Sequence, residues 1–173
     1  MSTITSTAWD QLAGVLAYPK EFPWSAIEDA ASALSHTAPA GALALHRFEE
    51  AIRGLSLGQL QEEYVSTFDL HRDCALELGH HLYGEGPRRN AFLVSLRQAM
   101  DRAGLPASRE LPDHITSVVA LLGRETPARA AGLAALVGPA VDALKGALAA
   151  RQSPYLHAMD AAGAALTTLQ GGG

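Results

Sequence analysis

The residue types best suited to chemistry gather in one short stretch: His71, Asp73, Cys74, Glu77, His80 and His81. If a helix covers this stretch, Glu77 and His81 lie four residues apart on one face, with Cys74 about one turn earlier. Such a set could bind zinc, so a small metal-dependent hydrolase using His71, Cys74, Glu77 and His81 is one hypothesis. The stretch lacks the H-E-x-x-H pattern and the cysteine pair of common zinc sites. We therefore expect histidines of the core or the surface, and no bound metal.

Phosphate-binding and dinucleotide-binding motifs are not evident in the sequence. There is no G-x-x-x-x-G-K-[ST], and no G-x-G-x-x-G follows a strand. Gly84-Glu85-Gly86-Pro87 is a turn signal between two helices. No spacing indicates a Ser–His–Asp triad. We therefore expect no catalytic residues, no cofactor and no enzymatic activity.

The region from Gln61 to Arg89 mixes acidic, aromatic and apolar side chains. Its first part, Gln61 to Leu82, carries one basic residue, Arg72, and five acids: Glu62, Glu63, Asp69, Asp73 and Glu77. Amphipathic helices with charged outer faces would produce such a pattern. A groove with an apolar floor and an acidic rim would produce it too, and would suit a basic peptide. The composition leaves both interpretations open.

The elements that must position these residues are helical. The chain has 173 residues, 48% of them apolar and only 6% aromatic. Alanine and leucine dominate the apolar set and favour helices, whereas β-branched residues are sparse. The length suits one compact domain. We predict an all-α fold, a single bundle of about nine helices over residues 1–170, with a disordered tail at 171–173.

Apolar periodicity and the Gly/Pro breaks locate the helices. We predict helices at 7–17, from 23–25 to 34, and from the end of a loop at Pro39–Gly41 to Ile52. Further helices are predicted from the residue after Ser56 through Phe68, from about Cys74 to Tyr83, and at 88–103. The last ones run from Leu111-Pro112-Asp113-His114 to Gly123, from Thr126-Pro127 through an Ala-rich region, and from Ser153-Pro154-Tyr155 onward. Gly138-Pro139 divides the Ala-rich region into two predicted helices. Tyr64 and Phe68, one turn apart, are predicted to pack inward.

Charge and targeting signals indicate a cytoplasmic protein. The net charge is −5 and no block of Lys/Arg could neutralise phosphates, so we expect no nucleic-acid partner. The single cysteine excludes an internal disulfide. Met1 to Asp10 carries no signal-peptide pattern. The apolar stretch Ala128–Ala150 is interrupted by Gly, Pro and charged residues, so we expect buried helices there and no membrane insertion.

Two motifs resemble those of the nitrate reductase delta-subunit family. The first is Tyr64-Val65-x-Thr67-Phe68-Asp69-Leu70, then Cys74-Ala75-Leu76-x-Leu78, then His81-Leu82-Tyr83-Gly84-Glu85 and Arg88-Arg89. The second is Glu110-Leu111-Pro112-Asp113-His114-Ile115. Their order and spacing are similar to those of that family and of redox-enzyme maturation proteins more widely. His80-His81 and the Ala/Gly-rich C-terminal region depart from the pattern of that family.

The resemblance implies a cytoplasmic assembly chaperone rather than an enzyme. It would bind the apo catalytic alpha subunit of a molybdopterin oxidoreductase, of nitrate reductase or dimethyl sulfoxide reductase type, through the N-terminal segment of that subunit. It would promote molybdenum cofactor insertion before export or membrane docking. A structural helical subunit of a stable complex is the other alternative. The expected partner-binding residues are Glu62, Glu63, Tyr64, Phe68, Asp69, Leu78, Leu82, Tyr83, Arg88, Arg89, Pro112, Asp113 and His114.

Overall fold

The computed structural model describes residues 4–171, and this part of the chain is an all-α bundle, as predicted. Its nine α-helices are α1 (Ser6–Leu16), α2 (Trp24–Leu34), α3 (Pro39–Ile52), α4 (Leu57–Tyr64), α5 (Leu78–Tyr83), α6 (Pro87–Arg102), α7 (Ile115–Leu122), α8 (Pro127–Ala150) and α9 (Tyr155–Gln170). A π-helical turn (Val65–Asp69) and a 3₁₀ turn (Arg72–Cys74) separate α4 from α5. Of the predicted tail, Gly171 follows α9, and residues 172–173 lie outside the described residues.

Local sequence signals place several helix starts. The Thr5 hydroxyl accepts the backbone N–H of Ala8 at the start of α1 (3.2 Å). Ser56 and Gln59 form a reciprocal capping box at the start of α4, with the Ser56 hydroxyl accepting the Gln59 N–H (3.2 Å) and the Gln59 side chain accepting the Ser56 N–H (2.8 Å). These bonds satisfy N–H groups that have no partner within the helix.

The predicted loop at Pro39–Gly41 is wrong, because α3 begins at Pro39. Proline suits the first helical position, where its missing N–H costs nothing. The small Gly41 lets α3 approach α9 closely. A Cβ on Gly41 would lie 3.2 Å from Ala164 Cβ and 3.3 Å from the Ala161 carbonyl.

α9 is the central helix of the bundle and packs against α8, α3 and α1. Much of its buried face consists of small side chains, because Ala158, Ala161, Ala162 and Ala165 are fully buried. Short side chains allow the neighbouring helix axes to come close together. In α1, Trp9, Leu12, Ala13 and Leu16 recur at helical spacing, and all four are buried in the core.

An aromatic cluster anchors the α4–π-turn region to α9. Tyr64 and Phe68 are buried, which confirms that both pack inward. Their ring centroids lie 4.8 Å apart, and the ring of Tyr155 in α9 lies 5.5 Å from Tyr64 and 5.1 Å from Phe68. Phe48 of α3 contacts the same Tyr155 ring at 5.1 Å. The edge-on contacts among Tyr64, Phe68 and Tyr155 stabilise the cluster beyond what burial of the rings contributes.

The Ala-rich region forms one 24-residue helix, so its predicted division at Gly138-Pro139 is wrong. One continuous stripe of α8 is buried over both halves: Ala130, Ala134, Val137, Val141, Leu144 and Leu148. Pro139 has no N–H to donate to the carbonyl of Ala135, and both residues lie on the exposed side of α8. Because water can solvate the free carbonyl, packing of α8 against α9 outweighs the loss of this one helical hydrogen bond. Within the described residues, α8 is also the helix long and apolar enough to span a membrane.

Candidate functional site

The two motif regions are joined by backbone hydrogen bonds into one unit. The Leu78 N–H donates to the Asp113 carbonyl, and the Ile115 N–H donates to the Leu76 carbonyl, both at 2.8 Å. Glu77 and His114 form the antiparallel bridge between them. Because this segment is extended, α5 begins at Leu78, and the predicted helix start near Cys74 is wrong.

A buried ion pair crosses the same junction. The Asp113 carboxylate is fully buried, and Arg89 of α6 donates to it through Nε (2.9 Å) and Nη2 (3.4 Å). This hydrogen bonding raises the pKa of Arg89. Arg89 also donates through Nη1 to the exposed Glu85 (2.9 Å). The Asp113 side chain is therefore engaged by Arg89 and does not cap α7.

His114 caps α7 instead. Its Nδ1 accepts the backbone N–H of Thr116 (3.3 Å) and lies 2.7 Å from the Thr116 hydroxyl. Burial lowers the pKa of His114, against the opposing charges of Glu110, Glu77, Asp113 and Asp69. A neutral ring fits the acceptor role of Nδ1 in the cap. Nε2 lies 3.9 Å from a Glu110 carboxylate oxygen.

Three acids from separate segments carry charge near this junction: Glu77 belongs to the bridge, Glu110 lies 3.9 Å from the His114 ring, and Asp69 ends the π-helical turn. Their charges act on the Tyr64 hydroxyl, whose pKa is raised first by burial and then by all three carboxylates. The same three acids act on His114. The negative charge of these three carboxylates would attract a cationic partner at long range.

Exposed apolar side chains lie next to these acids. Leu70 follows Asp69 and is 71% exposed, and Leu111 follows Glu110 and is 48% exposed. Tyr18 is exposed as well and packs edge-on against Tyr64, with ring centroids 5.5 Å apart. Val65, in the same π-helical turn as Asp69, is 37% exposed. We call the combined region the acidic–apolar surface; it comprises Tyr18, Val65, Asp69, Leu70, Glu77, Glu110 and Leu111.

Many of the predicted partner-binding residues are inside the protein. The buried ones are Tyr64, Phe68, Leu78, Pro112, Asp113 and His114. For these residues direct contact with a partner would require this part of the fold to open, and Leu78 in particular belongs to the core rather than to a groove floor. The others reach the surface in full or in part: Glu62, Glu63, Asp69, Leu82, Tyr83, Arg88 and Arg89.

Two acids predicted for the rim are engaged by distant elements. Glu63 Oε1 accepts from the Thr67 hydroxyl (3.0 Å) and from the Ser153 hydroxyl (2.8 Å), which ties α4 to the start of α9. Asp73 accepts two hydrogen bonds at 2.9 Å from Arg151, at the end of α8. Of the five acids predicted for the rim, Glu62, Asp69 and Glu77 form no ion pair within residues 4–171. The charges of Asp69 and Glu77 act together with that of Glu110 at the junction of the two motifs.

The predicted metal ligands do not come together. Among residues 4–171, no three His, Cys, Asp or Glu side chains are placed to hold one ion. Glu77 precedes α5 and therefore does not share a helix face with His81. His81 Nε2 donates to the Ala75 carbonyl (2.6 Å), and Cys74 is buried, which raises the pKa of its thiol.

The sequence also contains one serine-nucleophile pattern that the predicted motifs did not include. Gly54-Leu55-Ser56-Leu57-Gly58 fits G-x-S-x-G, which places a reactive serine on a strand-to-helix turn in hydrolases. Here Ser56 follows α3, not a strand, and its hydroxyl caps α4. The pattern is a helix cap.

Six of the seven residues of the acidic–apolar surface were not singled out as partner-binding: Tyr18, Val65, Leu70, Glu77, Glu110 and Leu111. Leu70, Glu110 and Leu111 lie inside the quoted motifs, and an exposed leucine beside an acid was the available signal. Tyr18 carried no signal beyond its helix-ending Tyr-Pro pair, because its contact with Tyr64 spans 46 residues of sequence.

The comparison with protein families gives one match. The family model described as nitrate reductase delta subunit matches residues 35–161, which reach from just before α3 into α9. Both motif regions and the acidic–apolar surface, apart from Tyr18, lie within the matched residues. Among curated proteins, none matches the chain.

Proposed function

The chain belongs to the nitrate reductase delta subunit family, a family of molybdoenzyme maturation chaperones, and on that premise we propose which part of its client it holds and how. The client is the apo catalytic subunit of a molybdopterin oxidoreductase of nitrate reductase or dimethyl sulfoxide reductase type. The chaperone binds the N-terminal segment of this subunit in the cytoplasm. It keeps the subunit open for molybdenum cofactor insertion before export or membrane docking.

The observation that carries the proposal is the acidic–apolar surface. Asp69, Glu77 and Glu110 concentrate negative charge where Leu70 and Leu111 expose apolar area. A basic amphipathic segment matches both properties, since apolar contacts supply affinity while charges guide encounter and selectivity. Exposed ion pairs contribute only about 0.2–1 kcal/mol each, so the leucines must supply most of the binding free energy.

Client capture in cells that contain the molybdoenzyme tests this proposal. Tagged wild-type chain should retain a molybdopterin catalytic subunit, identified by mass spectrometry, and that subunit should lack cofactor. Leu70→Asp should lose the subunit because it places a charge in the apolar contact. Leu43→Asp is the matched control, since Leu43 is an exposed leucine (52%) on α3.

Cofactor content separates the chaperone from a permanent structural subunit. Cells without the chain should accumulate a catalytic subunit that contains little molybdenum, and wild-type chain should restore the metal. Retention of the chain in the mature, cofactor-loaded enzyme would contradict a transient role. Equal capture by the Leu70→Asp and Leu43→Asp variants would remove the acidic–apolar surface from the proposal.

A further inference from the structure

A surface cleft lies beside the acidic–apolar surface. It has a volume of about 360 Å³ and lies between α6, α7, the exposed face of α1 and the loop from α6 to α7. This volume falls at the lower end of the range for ligand sites, about 300–1,000 Å³. The cleft is thus large enough for side chains of one short segment.

Apolar side chains cover much of the cleft, and they come from different elements. Met100 belongs to α6, Leu105 and Pro106 to the connecting loop, and Ala120 to α7. Ser117, Ala120 and Arg124 follow each other at spacings of three and four residues, so they lie along one side of the α7 region. The lining therefore offers an apolar surface bordered by hydroxyl and charged groups.

The two guanidinium groups that line the cleft differ in their hydrogen-bond and ion-pair partners. Arg124 donates to both carboxylate oxygens of Asp10 (2.7 and 2.8 Å) and to the Ala120 carbonyl (2.9 Å). Arg97 is exposed and forms no ion pair within residues 4–171. The positive charge of Arg97 is thus available to a carboxylate from outside.

The cleft is continuous with the acidic–apolar surface through Glu110. This residue lines the cleft, and its charge acts on Tyr64 and His114 at the junction of the two motifs. Glu110 thus places a negative charge where the cleft joins the acidic–apolar surface, and Arg97 of α6 places a positive charge in the cleft.

We propose that the cleft is a second subsite for the client segment, and that it takes an apolar side chain together with a carboxylate that pairs with Arg97. This inference rests on the proposed function and adds the polarity of the recognised segment. Basic residues of the client lie against Asp69, Glu77 and Glu110, and an apolar-acidic portion of the same segment enters the cleft. A uniformly basic segment is disfavoured, because Arg97 would repel its second part.

Site-specific photo-cross-linking in the full chain tests this inference. A benzoylphenylalanine is placed at Ser117 in the cleft, at Leu70 in the acidic–apolar surface, or at the control position Leu43, which is exposed on α3 and does not line the cleft. Cross-linked client peptides are then mapped by mass spectrometry in cells that produce the catalytic subunit. The Ser117 and Leu70 probes should mark one client segment, with apolar or acidic residues at Ser117 and neighbours of basic residues at Leu70.

Charge reversal supplies the second arm of the experiment. Arg97→Glu should lower the Ser117 cross-link yield by about fivefold, the effect of roughly one exposed ion pair. Arg102→Glu is the matched control, because Arg102 is another exposed arginine of α6 without an ion pair in the described residues and does not line the cleft. Thermal melting of each variant verifies that it folds.

The outcomes distinguish the two proposals. Client cross-links from Leu70 but none from Ser117, or cross-links from Ser117 to a basic portion, would overturn the cleft subsite and leave the client-binding surface intact. An unchanged Ser117 yield in Arg97→Glu would overturn the carboxylate pairing. Absence of client cross-links from both probes would overturn the proposed function as well.

Discussion

Asp113 and Arg89 connect the two motif regions through one buried ion pair. A fully buried carboxylate is unfavourable unless charged and hydrogen-bonding partners compensate for its lost hydration. Arg89 supplies both the charge and two donors, and the Leu78 N–H bonds the carbonyl of the same aspartate. The motif residues therefore maintain the geometry of the surface that Glu110 and Glu77 present.

Replacing Asp113 by asparagine should destabilise the protein. The amide keeps an acceptor but removes the charge opposite the largely buried Arg89, at a cost of about 1–3 kcal/mol. Urea unfolding followed by circular dichroism measures this change. Asp101→Asn, on the exposed side of α6, is the control and should have almost no effect. Equal stability of the two variants would show that the buried pair contributes nothing.

Removing the Phe68 ring should have a larger effect. Phe68 is 6% exposed and contacts Tyr64 and Tyr155, and truncating a buried phenylalanine costs about 3–5 kcal/mol. Val65→Ala in the same π-turn should cost far less, since Val65 is 37% exposed. A melting temperature of Phe68→Ala that matches the wild type would contradict the aromatic anchor.

Residue roles were predictable where they depend on local periodicity. Tyr64 and Phe68 follow helical spacing, and their burial agrees with it. The burial of Asp113 depends on Arg89, and the engagement of Asp73 depends on Arg151, 78 positions away. A local sequence pattern does not reveal partners so far apart in the chain. The sequence therefore could not distinguish motif residues that stabilise the fold from motif residues that contact a client.

At the scale of elements, Gly79 lets α5 approach the second motif. A Cβ on Gly79 would lie 2.5 Å from Asp113 Oδ2 and 3.0 Å from Phe92 Cδ1. The ion pair between α6 and Asp113 leaves no room for a methyl group there. The requirement for glycine thus arises from close packing, not from an unusual backbone angle.

Alanine substitutions at two helical glycines should have opposite signs. Gly79→Ala should destabilise the protein by about 1–3 kcal/mol through overpacking. Gly146→Ala in α8 meets no atom within 4 Å and should stabilise it by about 0.4–1 kcal/mol, because alanine loses less backbone entropy. Denaturant midpoints measure both changes. Stabilisation by Gly79→Ala would contradict the close approach.

Helix starts were predictable where capping chemistry is local, as at Ser56. Three element predictions failed because tertiary packing prevailed. α8 continues through Pro139 because one buried stripe spans both of its halves. α3 includes Gly41 because α9 lies against it. α5 starts late because the residues before Leu78 pair with the second motif instead of entering a helix.

At the scale of the whole molecule, the bundle holds residues from distant parts of the chain on one surface. The aromatic cluster fixes α4 and the π-turn on α9, and the backbone bonds at Leu76 and Leu78 fix the second motif beside them. Asp69, Glu77 and Glu110 are thereby grouped near the junction of the two motifs. Such an arrangement suits reversible binding of a client segment.

The kinetics of binding between the purified chain and a peptide of the client's N-terminal segment test the central claim most directly. Raising the salt concentration should slow association clearly and change dissociation little, because the acids steer encounter while Leu70 and Leu111 hold the bound peptide. Leu70→Ala should speed dissociation, and Leu43→Ala should not. Binding that is insensitive to salt and unaffected by Leu70→Ala, or no binding of the peptide at all, would contradict recognition through the acidic–apolar surface.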